Sequence, residues 1–363
     1  MNALLIGEPD LEGICRSTLG CAVARSEQIG AGRNSRVFRV DVDGALNLGP
    51  AAELGGQKLP SSIVVKFYRR DPGDNRDRLG TEFGSLQFLW ENGVRAIPRP
   101  IVSAPHLQCG IYEFIPGEVA SQAEITAHDV DRSVDFLQAL DNLRGARGSE
   151  SLPAASEACF TIAEILGSID CRLERLTKTP AGDDQNVAFR QWLHETFAPV
   201  NLEVREWCLS TARRFGLEVD QPIAPNARTL TPSDFGFHNA IRRSDGSLTF
   251  VDFEYFGWDD PAKTIVDYLL HPGMRLGEDL RRRFASRVLD IYAHVPLLAS
   301  RVRVVYPLFG LKWALILLNQ FLPERARQAS ADDREELRIT QLQKAQLVIS
   351  RLAGEYRENP YLS

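Results

Sequence analysis

The chain has 363 residues, a length that suggests two domains or lobes. Its 42 Lys and Arg against 48 Asp and Glu leave a formal charge of −6, which argues against a nucleic-acid binder that needs a basic surface. At 44% hydrophobic and 25% charged residues the chain is neither disordered nor fibrous, and it can bury a core without disulfides or metals.

The segment Met1–Ile6 is apolar but too short for a signal peptide and lacks a basic flank. Six cysteines with no C-x-x-C pair read as buried thiols in a reducing compartment, so a cytoplasmic protein is expected. Strands are expected at Cys21–Ile29 and Val37–Val40 around a glycine turn, and at the β-branched run Ser61–Tyr68. Asp41–Pro60, rich in glycine and proline, reads as a surface excursion. Asp74–Asn92 has helical spacing, with Gly93 placed to end it, and Ile97–Ile101 leads back into strand. Long helical patterns follow at Ala127–Leu143, Phe160–Lys178 and Val187–Phe215. A strand-rich island occupies Arg228–Phe256, and helices then run to a last one at Asp332–Tyr356. The apolar stretch Val302–Leu322 is interrupted by Arg303, Pro307, Gly310 and Lys312, and reads as a buried helix with no membrane insertion. The expected architecture is α+β and bilobal, with a small β-rich lobe over residues 1–115 and a larger α-helical lobe over residues 116–363 that carries a catalytic β-hairpin.

Three groups of residues could carry chemistry. In Gly30-Ala31-Gly32-Arg33-Asn34-Ser35, the missing Cβ atoms would let backbone N–H groups approach phosphate oxygens. Strand continues after this loop and Ser35 stands where a dinucleotide fingerprint needs glycine, so a Rossmann reading fails. Lys66 lies inside an apolar strand, unfavourable unless an anion meets it, and Glu82 on the following helix could orient its ammonium. Ser233-Asp234-Phe235-Gly236-Phe237-His238-Asn239 precedes a hairpin over Ser244-Asp245-Gly246-Ser247 that would bring Asn239 beside Asp252. A carboxylate base at Asp234 with oxygen ligands for magnesium at Asn239 and Asp252 suits phosphoryl transfer to an alcohol.

The order of G-x-G loop, strand lysine, helix glutamate, D-x(4)-N and Asp-Phe-Glu resembles the aminoglycoside phosphotransferase and choline kinase family, which has a protein-kinase-like fold. The resemblance spans Gly30 to Leu270 and is densest from Thr231 to Asp267. It implies ATP and Mg2+ as cofactors and a small-molecule hydroxyl acceptor: a sugar, an aminoglycoside or an amino alcohol. It implies Asp234 as base, Asn239 and Asp252 as metal ligands, and Gly30, Gly32, Ser35, Lys66 and Glu82 around the phosphates. Glu113, Phe114 and Ile115 would lie along adenine. Glu254, Tyr255, Trp258 and Asp259, just past the metal ligand, are substrate candidates, with Asp183 and Asp184 as further carboxylates for a cationic acceptor. Asp260 and Pro261 read as a helix start, Asp267 as a prop for the catalytic loop, and His238 as a packing residue. The sequence departs from the family at Pro232, where the loop usually begins His-x-Asp, and at Ser35 in place of a third glycine. Only eight residues, Phe253 to Asp260, separate Asp252 from Pro261, too few for the activation segment of a protein kinase. A nucleotide-binding pseudokinase scaffold is the alternative function.

Overall fold

The computed structural model describes residues 9–32, 34–43, 61–70, 74–180, 183–274, 276–323 and 331–362. The segment 1–6, Arg33 of the glycine loop and most of the excursion expected at 41–60 lie outside the described residues.

The first element, helix α1 (Leu11–Leu19), has no counterpart in the sequence reading. Asp10 caps it by accepting from Gly13 N–H at 2.8 Å, and Gly20 ends it in the left-handed region at φ 67°. Its buried residues Leu11, Ile14, Cys15 and Leu19 pack onto one face of an antiparallel sheet beside Val40, Ile63, Val65 and Ile111. The sheet comprises β1 (Ala22–Ala31), β2 (Ser35–Asp43), β3 (Ser62–Tyr68), β4 (Pro100–Ala104) and β5 (Cys109–Glu113), in the order β1-β2-β3-β5-β4. Alternation along β3 sends Ile63 and Val65 toward α1, and Lys66 and Tyr68 to the opposite face. That face is covered by α2 (Arg78–Glu91), capped by Asp77 and carrying Glu82 inward. Gly110 pairs with Lys66 across the ladder. A Cβ there would stand 2.3 Å from the Tyr112 hydroxyl, so only glycine leaves room for it.

The rest is mostly helical: α3 (Ala127–Asn142), α4 (Ile162–Thr177), α5 (Asp184–Trp192), α6 (Ala198–Arg214), α7 (Pro261–Leu270), α8 (Glu278–Ile291), α9 (Leu298–Leu317) and α10 (Ala331–Glu355). The single helix expected over 187–215 is two, joined by a π-turn at Leu193–Phe197. Pro199 has no N–H to continue an α-helical ladder, which explains the break. The apolar stretch expected to be buried forms α9, and 78% of its most apolar window is inside the molecule, packed among α4, α6, α7 and α10. All six cysteines are free, and five are buried; Cys171 is exposed.

The short strands of the second half are β6 (Glu118–Val119), β7 (Thr229–Thr231), β8 (Ala240–Arg242), β9 (Leu248–Phe250) and β10 (Gly257–Asp259). β8 and β9 form the expected hairpin, with Ala240 opposite Phe250 and Gly246 at φ 82° in its turn. Beneath it lies an aromatic floor. Phe136 stacks on Phe250 at 4.5 Å, Phe235 contacts Phe250 at 5.0 Å and Tyr268 at 5.7 Å, and Tyr268 stacks on Phe284 at 3.6 Å. This rigid base fixes the loop that runs from β7 to β8.

Candidate active site

Lys66 reaches from β3 into the space between the sheet and the hairpin. Its Nζ donates to Glu82 Oε2 and to Asp252 Oδ1, each at 2.6 Å. Burial opposes its charge, but Glu82 and then Asp252 more than offset it and hold the ammonium protonated well above the ordinary lysine range. Burial pushes the Glu82 carboxyl up against the pull of Lys66. The Tyr68 hydroxyl donates to the same Glu82 oxygen at 2.8 Å and lies 2.7 Å from the Tyr112 hydroxyl. Neither tyrosine was singled out from the sequence as a support of this pair. The period-two spacing of Lys66 and Tyr68 was the available signal.

Strand β9 stops at Phe250, and Asp252 just after it takes a left-handed conformation at φ 68°. That conformation costs a non-glycine residue about 1 kcal/mol, and it leaves the carboxylate 39% exposed at the cleft. A second such residue, Ser233 at φ 67°, begins the loop after β7. Thr231 Oγ1 accepts from Ser233 N–H at 3.1 Å, and Pro232 O accepts from Asp234 N–H at 2.9 Å, so the chain turns sharply just before Asp234. Asn239 Nδ2 donates to Asp234 O at 3.0 Å, and its amide oxygen accepts no hydrogen bond among the described residues. Asn239 O accepts from Val251 N–H at 2.9 Å and so stands beside Asp252, as the hairpin reading expected. Gly236 is needed for space: a Cβ would meet Met274 Sδ at 2.7 Å and the His238 ring at 2.9 Å.

Two imidazoles converge on Asp234. His238 Nε2 lies 3.0 Å and His271 Nε2 3.4 Å from Asp234 Oδ1, and the rings stack in parallel at 4.0 Å. His271 Nδ1 accepts from Gly273 N–H at 3.1 Å, which puts the ring proton on Nε2, facing the carboxylate. His238 Nδ1 is buried without a partner, which fits the same tautomer. Burial opposes ionisation of Asp234, but hydrogen bonds from His238 and then His271 overcome it and hold the carboxyl far below the usual range. His238 is therefore more than the packing residue expected. His271 arrives from beyond α7, and no local sequence signal marked it.

The remaining candidates fall into two sets. Gly30, Gly32 and Ser35 sit where β1 gives way to β2, and Asn34 between them donates to Glu254 Oε1 and Tyr255 Oη, both at 2.6 Å. Glu254 is buried, stands 3.7 Å from Arg78 Nε, and keeps its second oxygen buried without a partner. Carboxylate oxygens of Glu82, Asp252 and Glu254 lie within 4.8 Å of one another. At the end of β5, Glu113 N–H donates to Arg99 O at 2.9 Å, Phe114 lies under the Arg39 guanidinium at 4.5 Å, and Ile115 is buried.

Asp259 corrects the sequence reading. The Trp258 indole donates to Ser149 O at 3.0 Å. Asp259 is fully buried, 2.9 Å from Lys263 Nζ, with burial raising its carboxyl to about 6. Asp259 is thereby closed off from an acceptor, whereas Trp258 is partly buried. Asp183 caps α5 and meets Arg338 at 3.2 Å. Asp260 caps α7 as expected, and also pairs with Arg301. Asp267 contacts the loop indirectly, through Lys263, whose Nζ is 2.9 Å from Asp267 and 3.4 Å from Ser233 Oγ, and through Trp313, whose indole donates to Asp267 at 3.0 Å and packs on His271.

A family model described as the phosphotransferase enzyme family matches residues 27–305. A search of curated proteins found no match. Among solved structures, a spectinomycin phosphotransferase in complex with ADP and spectinomycin is similar at TM-score 0.64 and 12% identity, over 96% of this chain and 98% of that one. A choline kinase from Cryptosporidium parvum Iowa II gives 0.57 and 15%, over 96% and 97%. An aminoglycoside phosphotransferase in a ternary complex with AMP-PNP and hygromycin B gives 0.53 and 15%, over 96% and 100%. At these identities the likeness shows the fold, a kinase-like arrangement of an N-terminal antiparallel sheet followed by a mostly helical region.

Proposed function

The chain belongs to the phosphotransferase enzyme family, and from that premise we propose that it moves the γ-phosphoryl group of Mg-ATP to a hydroxyl of a small molecule in the cytoplasm. The observation that supports this reading best is the chain of contacts in which Lys66 bridges Glu82 and Asp252, with Asn239 beside Asp252 and bonded to the Asp234 backbone. An oxygen of the acceptor forms the new bond to phosphorus, the bond from phosphorus to the bridging oxygen breaks, ADP leaves, and the hydroxyl proton passes to Asp234. Strongly held in its ionised form, Asp234 is a weak base. Its main work is to orient the hydroxyl, which suits a transfer whose catalysis is mostly positioning and charge neutralisation. His238 and His271 brace it in the place of the histidine that Pro232 replaces. Lys66 presents its ammonium to phosphate oxygens, with Glu82 and Tyr68 fixing its direction.

The donors around Asp252 fit magnesium. They are hard oxygens, and among the described residues the Asn239 amide oxygen and one buried Glu254 oxygen have no hydrogen-bond partner. Asn239 and Asp252 would hold the ion, which when bound neutralises phosphate charge. Gly30, Gly32 and Ser35 would cover the phosphates, and Glu113, Phe114 and Ile115 would line the base. The test is thermal stabilisation by ATP with and without magnesium, followed by a mass-resolved search for phosphorylated products in a metabolite pool. Magnesium-dependent stabilisation with product supports transfer. Binding without product across the pool supports the scaffold alternative.

A further inference from the structure

We infer that the acceptor carries an anionic group, a carboxylate or a phosphomonoester, beside the hydroxyl it presents, an inference that rests on the phosphotransferase reading above. Its ground is a cluster of cations gathered on Glu157. Lys312 on α9 has a side chain only 5% exposed, yet its ammonium makes no hydrogen bond among the described residues. Its neighbours there are Glu157 Oε2 at 3.6 Å and the Phe309 ring at 5.2 Å. A lysine so enclosed is unfavourable unless an anion completes its shell.

Glu157 serves as a partial counterion for several cations at once. Arg172 Nη2 donates to the same oxygen at 3.1 Å, and Arg76 Nη1 stands 3.9 Å from the other. Even with Asp74 set against Arg76, Lys312 and Arg172 face one carboxylate between them. Glu157 is itself 43% exposed, so the cluster opens to solvent and a ligand anion can join or displace it.

Two routes lead from this cluster toward the base. Lys263, whose charge acts on Glu157, stands 2.9 Å from both Asp259 and Asp267, and its Nζ lies 3.4 Å from Ser233 Oγ, one residue before Asp234. Trp313, next to Lys312, sets its ring edge-on to His271 at 4.6 Å, and His271 touches Asp234. Carboxylates that a cationic acceptor would need are engaged elsewhere: Glu254 through one oxygen with Asn34, Asp259 and Asp267 with Lys263, and Asp183 at the cap of α5. A hydroxyl presented to Asp234 would thus have cations beside it and engaged carboxylates around it.

The test titrates inorganic phosphate, acetate and ethanolamine calorimetrically into the full chain with saturating Mg-AMP-PNP. Phosphate or acetate is expected to bind, and which of the two binds tighter tells phosphomonoester from carboxylate. Lys312→Gln and, as a variant whose side chain is less enclosed at 18% exposed, Arg172→Gln should each weaken that binding about tenfold or more. Glu157→Gln should tighten it. Absence of anion binding, equal binding by the Lys312 and Arg172 variants, or tighter binding of ethanolamine overturns the inference. Failure of Mg-AMP-PNP itself to bind counts instead against the phosphotransferase reading, and the anion titration still reports on the Lys312 cluster.

Discussion

Asp234 has both histidines on one carboxylate oxygen, while its own backbone carbonyl is held by the Asn239 amide. Asp234→Asn keeps the size of the side chain and leaves an oxygen for the imidazole donors, so the loop should persist while the carboxylate is lost. Turnover is expected to fall on the order of 10²–10⁴-fold with nucleotide affinity unchanged, measured by steady-state kinetics beside calorimetry. Normal turnover would remove Asp234 from the mechanism. Lys66, Glu82, Asp234, Asn239 and Asp252 were all legible in the sequence, for different reasons. Asn239 and Asp252 are joined by a short hairpin, and local turn chemistry sets their pairing. Lys66 stands out because a charge inside an apolar strand demands a partner. The approach of His271 to Asp234 was illegible, because no local pattern sets it, and so was the meeting of Lys312 and Arg172 at Glu157, which only the packing of α4 against α9 brings about. Asp259 was over-read for the opposite reason: closeness in the chain to Asp252 suggested a shared cleft, but pairing of β10 with β7 turns its side chain into the core.

Among the elements, helices were placed well where caps and apolar spacing agreed. The α4 start is a capping box, with Thr161 Oγ1 accepting from Glu164 N–H at 2.9 Å and Glu164 returning to Thr161 N–H at 3.0 Å. The break between α5 and α6 was missed because the apolar pattern runs through it, although Pro199 was the signal. Contacts between elements are harder to read, and the α3–α8 junction shows why. Asp131 on α3 accepts from Arg283 Nε at 2.7 Å, and Arg287 Nη1 lies 2.7 Å away, a pairing across 152 residues. The Arg283 hydrogen bond, helped by Arg287, lowers the Asp131 carboxyl to about 2 from 3.8. A carboxyl lowered on folding stabilises the native state above its unfolded value, and that stabilisation is lost as pH falls through the folded one. Because the arginines are over a third exposed, the effect should be about 1 kcal/mol or less. Urea unfolding should therefore show Asp131→Asn below the wild type at neutral pH, with the two curves converging as pH falls from about 4 toward 2. An offset that stays constant with pH would show that the ion pair is not its source.

At the scale of the whole molecule, the sheet and the helical region meet through polar contacts that cross the cleft. Lys66 on β3 holds Asp252 beyond β9, and Asn34 before β2 holds Glu254 and Tyr255. Each pairs a group suited to phosphate with a carboxylate near the metal donors, so nucleotide and ion would enter by replacing contacts that now neutralise one another. The general architecture was readable from the order of strand and helix patterns. The closeness of these two regions was readable only through the family resemblance, since nothing local sets it. The decisive measurement is ATP affinity with and without magnesium, by calorimetry, for the wild type and Asp252→Asn. Magnesium should tighten ATP binding to the wild type, and that gain should vanish in the variant. The same gain in both proteins, or none in the wild type, would contradict a magnesium-dependent phosphotransferase built on this cleft.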